Sequence, residues 1–167
     1  MYSKKNKNKL FNESLIVKRL TEHQKIPFNL LELADPSRAQ IEQYLYESQC
    51  YLALLEAQCI GVLVLKELSA QTVEIKNIAI KEIQQGKGYG KKLLKWATKI
   101  AQESNYQKIR IGTGNSSIGQ LALYQKEGFE ITQIVKDFFT HNYPNPIVEN
   151  GILCKHMIIL EKDLNEF

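Results

Sequence analysis

The most distinctive residues of this chain lie between Gln85 and Lys91, in the run Gln-Gly-Lys-Gly-Tyr-Gly-Lys. Three glycines at alternate positions carry no Cβ atoms that would keep a ligand away from the backbone. A helical pattern follows Gly90, and the first N–H groups of a helix lack partners and carry about half a positive charge. Phosphate groups bind well at such a place, so the run predicts a site for a phosphate-bearing ligand.

Two other nucleotide-binding patterns do not fit this run. The ATP-binding P-loop needs Gly where Gln85 stands, and Ser or Thr where Lys92 stands. The dinucleotide pattern G-x-G-x-x-G would place its third glycine on Lys91 or Leu93. It also opens a βαβ unit, whereas this run follows a series of predicted hairpins.

The cysteines predict neither a disulfide framework nor a zinc site. Cys50, Cys59 and Cys154 are odd in number and lack C-x-x-C spacing. Cys154 and His156 alternate along a predicted strand, which is ordinary core spacing, and no third ligand or orienting group accompanies them. We therefore expect small core residues and no metal.

The net charge of +4 lies almost entirely at the N-terminus. Four lysines there, Lys4, Lys5, Lys7 and Lys9, leave the rest of the chain formally neutral (+4 minus 4). We expect residues 1–13 to be a solvated, poorly ordered basic tail and not a nucleic-acid-binding arm. Nucleic-acid binding is the last-ranked alternative, and it would show a steep dependence on salt.

The length and hydropathy pattern predict one domain without a membrane segment. A chain of 167 residues can bury ~70% of its unfolded surface as a single domain, here residues 14–162. Apolar runs such as residues 60–65 are far shorter than the ~20 residues of a membrane helix. No hydrophobic stretch follows Met1, so we expect a cytoplasmic protein.

The elements that position the glycine run are predicted from periodicity. Helices are expected in two pieces within residues 21–49, interrupted near Asp35 with Ser37 as an N-cap, then directly after Gly90 and over residues 118–126. Strands are expected over residues 14–20, 51–55, 59–67, 72–81, 108–111, 129–138 and 154–160. Short gaps between the early strands require hairpins. The fold class is therefore α/β of the α+β type, a single domain with a largely antiparallel sheet.

Two motifs resemble the GCN5-related N-acetyltransferase (GNAT) family. Residues 85–90 match its pyrophosphate-binding signature Q-x-x-G-x-G, and residues 74–80 resemble the family's fourth strand. The run Leu-Ala-Leu-Tyr-Gln-Lys-Glu-Gly-Phe, residues 121–129, is similar to its L-Y-x-x-x-G-F ending. The resemblance implies a six- to seven-stranded sheet flanked by about four helices, and an enzyme that uses acetyl-CoA.

The resemblance also implies which residues bind the cosubstrate. The main chain of the fourth strand would hold the pantetheine arm, and the loop that begins at Gln85 would hold the pyrophosphate through its N–H groups. In the family, an asparagine after the fifth strand contacts the cofactor arm, and Asn115 resembles it. The family's usual interval, counted back from Tyr124, falls instead on Ser117. The other residues implied are Ile78, Ala79, Ile80, Gly86, Lys87, Gly88, Tyr89, Gly90 and Lys91.

Two residues carry the implied catalytic roles. Glu74 lies where several family members place a general base, which is needed because an alkylammonium of pKa ~10 must lose a proton before it attacks. An exposed strand glutamate is the structural alternative. Tyr124 matches the tyrosine that protonates the departing thiolate, with packing on the sheet as its alternative.

The acceptor is expected to contact the segment of residues 140–153, which precedes the last strand. Loops of this length are often functional, and the corresponding connection borders the acceptor site in the family. His141, Tyr143 and Glu149 are candidates for binding a cationic substrate. We predict transfer to a primary amine, with a small molecule favoured over a protein. The alternatives are a protein N-terminal or lysine acetyltransferase and a non-catalytic acyl-CoA-binding regulatory module. Dimers are common in the family, so a homodimer is allowed.

Overall fold

A computed structural model describes residues 14–165, so the predicted basic tail of residues 1–13 lies outside the described residues. The helices are α1 (Phe28–Ala34), α2 (Arg38–Leu45), α3 (Tyr89–Glu103), α4 (Ile118–Lys126) and α5 (Phe138–Asn142). The strands are β1 (Ile16–Arg19), β2 (Gln49–Leu55), β3 (Gln58–Ser69), β4 (Thr72–Ile80), β5 (Lys108–Gly114), β6 (Glu130–Val135), β7 (Val148–Glu149), β8 (Ile152–Leu153) and β9 (Met157–Asp163).

Seven strands form one mostly antiparallel sheet in the order β1-β2-β3-β4-β5-β9-β6. The predicted hairpins are present. Glu56 and Ala57 connect β2 to β3 with φ angles of 47° and 65°, the left-handed backbone that a two-residue hairpin turn requires. Among the strands of residues 14–165, only β4 and β5 pair in parallel, and α3 connects them. The fold class and the number of strands expected from the sequence are therefore confirmed.

The two central strands separate along their length. β4 pairs with β5 only over residues 72–75, against residues 108–111. Beyond Ile75, β4 continues beside β3 alone, while β5 continues beside β9 as far as Gly114. The main-chain groups of β4 that face away from β3 beyond Ile75 thus have no partner on β5, and a V-shaped opening lies between the two strands.

A bulge in β4 decides which side chains face which side of the sheet. Val64 pairs with Asn77 and Leu65 with Ile75, so Lys76 is an extra residue without a partner on β3. Such an insertion reverses the alternation of side chains beyond it. Glu74 and Asn77 consequently lie on the same face of the sheet.

Each face of the sheet is covered by helices. The amphipathic pattern predicted after Gly90 is α3, and it buries its apolar side against one face, with Leu93, Leu94, Ala97 and Ala101 next to Val73, Ile75, Ile111 and Leu160. The other face packs against α1 and α2, where Leu30, Leu31, Ile41 and Tyr44 contact Val62, Val64 and Ala79. Among the described residues, no helix has the length and apolar character needed to cross a membrane.

A buried amide ties α1 and α2 to β4. Asn77 is 3% exposed, and its Nδ2 donates to the Leu31 carbonyl at 2.9 Å and to the Tyr44 hydroxyl at 3.0 Å. The connection between the two helices is fixed at Ser37, whose Oγ accepts the Gln40 N–H at 3.3 Å as the predicted N-cap. These bonds hold the α1–α2 connection over the open part of β4.

Three boundaries in the last third differ from the prediction. β6 ends at Val135 instead of residue 138, because Asp137 has a φ of 57° and starts α5. The segment of residues 140–153, predicted as a loop, contains the end of α5 and the β7–β8 hairpin. The last strand covers Met157–Asp163 instead of residues 154–160, because the N–H groups of Lys155 and His156 donate to Asn115 Oδ1.

Candidate active site

A long groove of about 560 Å³ opens where β4 and β5 separate. Its floor is the end of β4, and its walls are the glycine loop, the first turns of α4 and the end of α1. The predicted residues that line it are Ile78, Ala79, Ile80, Gln85, Gly86, Gly90 and Tyr124. The structure thus brings the strand, the loop and the helical tyrosine to one place.

Two glycines of the loop adopt a backbone conformation that favours glycine. Gly86 and Gly88 have φ angles of 73° and 84°, where side chains are rarely tolerated, and no atom lies within 4 Å of a Cβ built on either. The first helical bond of α3 runs from the Lys92 N–H to the Gly88 carbonyl at 3.1 Å. The N–H groups of Tyr89, Gly90 and Lys91 therefore have no partner within the helix and are available to an anion.

Side chains of the loop support its shape and charge. Gln85 Nε2 donates to the Ile80 carbonyl at 2.9 Å, which ties the start of the loop to the end of β4. Lys91 Nζ lies 2.8 Å from Glu127 Oε1, and this hydrogen bond lowers the pKa of Glu127. Lys87 Nζ donates to Gln84 at 3.0 Å. Lys87 and Lys91 are thus held beside the loop, and Lys91 is paired there with a carboxylate.

Tyr124 lies on α4 at the inner end of the groove. Its side chain is 5% exposed and packs against Phe129, with ring centroids 6.2 Å apart. Burial raises the pKa of its hydroxyl, so Tyr124 is protonated throughout the neutral range. It can therefore serve as a proton donor to a group bound in the groove.

A smaller polar cavity of about 150 Å³ lies on the other side of the opening, and Ala34 borders both spaces. Glu74 lines it from β4, with a side chain 13% exposed and its Oε2 3.6 Å from Lys76 Nζ. The bulge at Lys76 is what turns Glu74 toward this cavity on the α1–α2 face. β4 thus carries Glu74 in the polar cavity and residues 78–80 in the groove.

A second carboxylate enters the cavity from the α1–α2 connection. Asp35 Oδ1 accepts the Ser37 N–H and the Tyr143 hydroxyl, each at 3.0 Å. Burial raises the pKa of Asp35, although both hydrogen bonds and the charge of Lys76 act in the opposite direction. Burial also raises the pKa of Tyr143. Tyr143 thereby places its ring in the cavity beside a carboxyl group.

The third carboxylate is Glu149, on β7. Its Oε2 accepts the hydroxyl of Ser117 at 2.7 Å and that of Ser116 at 3.3 Å. The segment of residues 140–153 therefore does contribute Tyr143 and Glu149 to the cavity. His141, the third candidate from this segment, is exposed and does not line it.

The two alternatives for the cofactor arm have different surroundings. The Asn115 amide accepts two main-chain N–H groups, from Lys155 and His156, and donates to the Leu153 carbonyl at 3.1 Å. Ser117 occupies the N-cap position of α4 without a side-chain capping bond, and it borders the polar cavity, not the groove. Both residues thus bind other parts of the protein, and contact of either with a cofactor stays a prediction.

Several residues of the site were not identified from the sequence. Asp35 and Tyr44 lie far from the motifs and reach the cavity only because Asn77 holds α1 and α2 against β4. The groove is also lined by three residues that precede Tyr124 on α4, namely Gly119, Gln120 and Leu123. Their position on the first turns of α4 is the one signal that could have revealed them.

Within residues 14–165, no group of three or more His, Cys, Asp or Glu side chains is arranged to hold a metal ion.

The sequence pattern of the acetyltransferase (GNAT) family matches residues 17–129. The chain is also 49% identical over 137 residues to the uncharacterized N-acetyltransferase YvbK of Bacillus subtilis (strain 168), a match that covers 82% of this chain and 88% of that protein.

Two solved structures are similar over nearly their whole length. A GNAT family acetyltransferase from Elizabethkingia anophelis with acetyl-CoA bound has a TM-score of 0.88 and 49% sequence identity, covering 89% of this chain and 97% of that one. A Bacillus subtilis acetyltransferase in complex with CoA has a TM-score of 0.85 and 45% identity, covering 90% and 99%.

Proposed function

The chain belongs to the acetyltransferase (GNAT) family, and from that premise we propose that it transfers the acetyl group of acetyl-CoA to the primary amine of a small cationic molecule. One observation carries the proposal. The groove and the polar cavity share Ala34 in their linings and lie along the same strand β4, with Tyr124 in the first and Glu74 in the second. A thioester and an amine bound in these two spaces would be neighbours.

The groove has the chemistry that acetyl-CoA requires. The free N–H groups at the start of α3 would hold the pyrophosphate, together with the loop from Gly86 to Lys91. The main-chain groups of residues 78–80 that face away from β3, and so have no partner on β5, would bind the pantetheine arm. Acetyl-CoA supplies the activated thioester. The similar structures that contain acetyl-CoA or CoA support this assignment.

The two ionisable groups at the opening would handle the protons of the reaction. Glu74, directly or through a water, would accept a proton from the substrate ammonium, because only the neutral amine attacks. An amide of β4 near Ile78 would stabilise negative charge on the carbonyl oxygen. Tyr124 would donate its proton to the leaving sulfur. The amine nitrogen first bonds to the carbonyl carbon, and the carbon–sulfur bond then breaks. The excess proton that remains on the nitrogen would replace the one that Tyr124 gave to the sulfur.

The cavity favours a small cationic acceptor over a protein. A volume of about 150 Å³ holds a compact molecule and not a folded surface. Three carboxyl groups, on Asp35, Glu74 and Glu149, attract positive charge, and the ring of Tyr143 offers a cation–π surface. A second ammonium group on the acceptor would bind Asp35 or Glu149 while the reacting amine faces Glu74.

The test is release of CoA thiol from acetyl-CoA with a panel of polyamines, aminoglycosides, amino acids and lysine peptides. We expect turnover with a diamine or polyamine and little with peptides, and loss of most turnover in Glu74→Gln. Turnover with peptides alone would transfer the proposal to protein acetylation. Binding of acetyl-CoA without turnover of any amine would indicate the non-catalytic module.

A further inference from the structure

Alternating charges cross the sheet at the level of Glu74. Lys66 on β3 pairs in register with Glu74 on β4, Glu74 pairs with Arg110 on β5, and Arg110 pairs with Glu161 on β9. Registered neighbours share a face, and this face is the one opposite α3, because Val73, Ile75, Ile109 and Leu160 point to the other core. We call Lys66, Glu74, Arg110 and Glu161 the charge row.

The two cations beside Glu74 are each bound to a different carboxylate. Arg110 donates to Glu161 Oε1 through Nη2 at 2.7 Å and through Nε at 2.9 Å. Lys66 Nζ lies 2.9 Å from Glu47 Oε2. Within the described part of the chain, the one ion pair of Glu74 is the 3.6 Å contact with Lys76.

Glu161 is well suited to hold Arg110. Its second oxygen, Oε2, accepts Lys108 Nζ at 3.2 Å, so both oxygens are bound to cations. Burial opposes ionisation, but the hydrogen bonds from Arg110 and Lys108 lower the pKa of Glu161 overall. Its side chain is only 12% exposed, which limits screening by solvent. Glu161 therefore remains a charged acceptor across the neutral range.

Removal of this acceptor would leave Arg110 free to pair with its other in-register neighbour. A guanidinium in contact with Glu74 would stabilise the carboxylate form and occupy an oxygen that must receive the proton. Both effects would weaken Glu74 as a base. We propose that Glu161 is a positioning residue that holds Arg110 away from Glu74. The inference rests on the proposed function, in which Glu74 accepts the substrate proton.

The other groups that face Glu74 do not change this argument. Lys76 lies on its own strand, and the carboxyl groups of Asp35 and Glu149 enter the same cavity from the α1–α2 connection and from β7. The hydroxyls of Tyr44 and Tyr143 border the cavity as well. None of these groups is bonded to Glu161. Lys108 is bonded to it and is retained in every variant below, so the removal of Arg110 separates the effect of Arg110 from that of Lys108.

The experiment compares kcat/KM against pH for the full-length protein and three variants. In Glu161→Gln we expect about a three- to tenfold lower kcat and an acidic limb moved by roughly one pH unit to lower pH. When Arg110→Met is added to Glu161→Gln, the acidic limb of the kcat/KM profile should return to its wild-type pH, and kcat should come to within about twofold of wild type. Glu130→Gln is the matched control, because Glu130 is the exposed neighbour of Glu161 on β6. It should leave the profile unchanged.

A second readout does not require activity. In wild type and in Glu161→Gln, the carboxyl carbon of Glu74 is followed by NMR as a function of pH, with Glu74→Gln used for assignment. A shift of the titration midpoint of Glu74 to lower pH in Glu161→Gln supports the inference. If the midpoint shifts but Glu74→Gln stays active, only the proposed role of Glu74 as a base fails. The inference would be overturned if neither the titration midpoint of Glu74 nor the acidic limb of the kcat/KM profile moved, and if the double variant lost as much activity as Glu161→Gln. Glu161 would then be a purely stabilising residue.

Discussion

The hydroxyl of Tyr143 donates a 3.0 Å hydrogen bond to Oδ1 of Asp35, a residue 108 positions earlier in the chain. This bond joins the α1–α2 connection to the residue that follows α5, and both residues line the polar cavity. It orients a carboxyl group and an aromatic ring toward the same space. The polar cavity is therefore assembled from segments that are far apart in the chain.

The raised pKa of Asp35 predicts a pH dependence of stability. The pKa of Asp35 is higher in the folded state than its ordinary value of 3.8 in the unfolded state, so the protonated form favours folding. This contribution to stability is present below about pH 4 and is lost as the pH rises through the folded-state pKa. Asp35→Asn keeps an oxygen for Ser37 and Tyr143 but cannot ionise. Urea unfolding from about pH 4 to 7 should show the variant gaining stability relative to wild type as pH rises. A constant difference would contradict the assignment.

The same substitution tests whether Asp35 binds the acceptor. With the best diamine from the panel, Asp35→Asn should raise the acceptor KM about tenfold or more, because a charge-assisted hydrogen bond is lost. The KM for acetyl-CoA should not change, since Asp35 does not line the groove. Glu32→Gln is the control, because that carboxylate on α1 is exposed and paired with Arg38. Equal acceptor KM values for both variants would remove Asp35 from the binding site.

Tyr124→Phe should lower kcat by up to ~10²-fold, because a thiol of pKa about 8.5 is already a tolerable leaving group and gains only modestly from an acid. Packing against Phe129 is retained, so the KM for acetyl-CoA and the melting temperature should stay near wild type. Tyr106→Phe removes a hydroxyl that binds Glu67 away from the groove and serves as the control. A Tyr124→Phe enzyme with full kcat would show that water donates this proton.

Two glycines with the same backbone shape separate strain from ligand binding. Gly88 in the loop and Gly151 in the β7–β8 hairpin have φ angles of 84° and 71°, and no atom lies within 4 Å of a Cβ built on either. Alanine at each should cost about 1 kcal/mol of unfolding free energy. Only Gly88→Ala should weaken acetyl-CoA binding, about tenfold or more by calorimetry, because its methyl group would project toward the phosphates. Equal affinities would exclude the loop as the pyrophosphate site.

The buried amide of Asn77 should matter for stability. Asn77→Ala would remove one of the two donors to the Leu31 carbonyl, which also accepts the Asp35 N–H, and would take the amide partner from the buried Tyr44 hydroxyl. We expect a loss of about 1 to 3 kcal/mol in the free energy of unfolding, measured by urea titration. The acceptor KM should rise as well, because α1 and α2 carry Asp35 and Tyr44. Asn142→Ala removes an exposed amide that donates to the Phe138 carbonyl and should change stability by less than about 0.5 kcal/mol.

Local patterns were sufficient for most of the groove. The glycine spacing between Gln85 and Gly90 depends on φ angles and on a helix start, which are properties of neighbouring residues. The helix that carries Tyr124 was predicted at residues 118–126, where α4 lies. The strand ends after Phe129 were predicted less well, because Asn115 and the left-handed Asp137 redirect the chain there through contacts that periodicity does not contain.

By itself, then, the sequence determined the fold class, the family and the loop that begins at Gln85, because each follows from the types and spacing of residues close together in the chain. Only the tertiary structure decided which residues form the polar cavity. The bulge at Lys76 turns Glu74 toward the cavity, and Tyr143 bonds to Asp35 although 108 positions separate them in the chain. Glu161 binds Arg110 from a strand that is adjacent in the sheet but 51 positions away in the sequence. Such contacts depend on strand order and register, which arise when the whole sheet closes and leave no periodic trace in the chain.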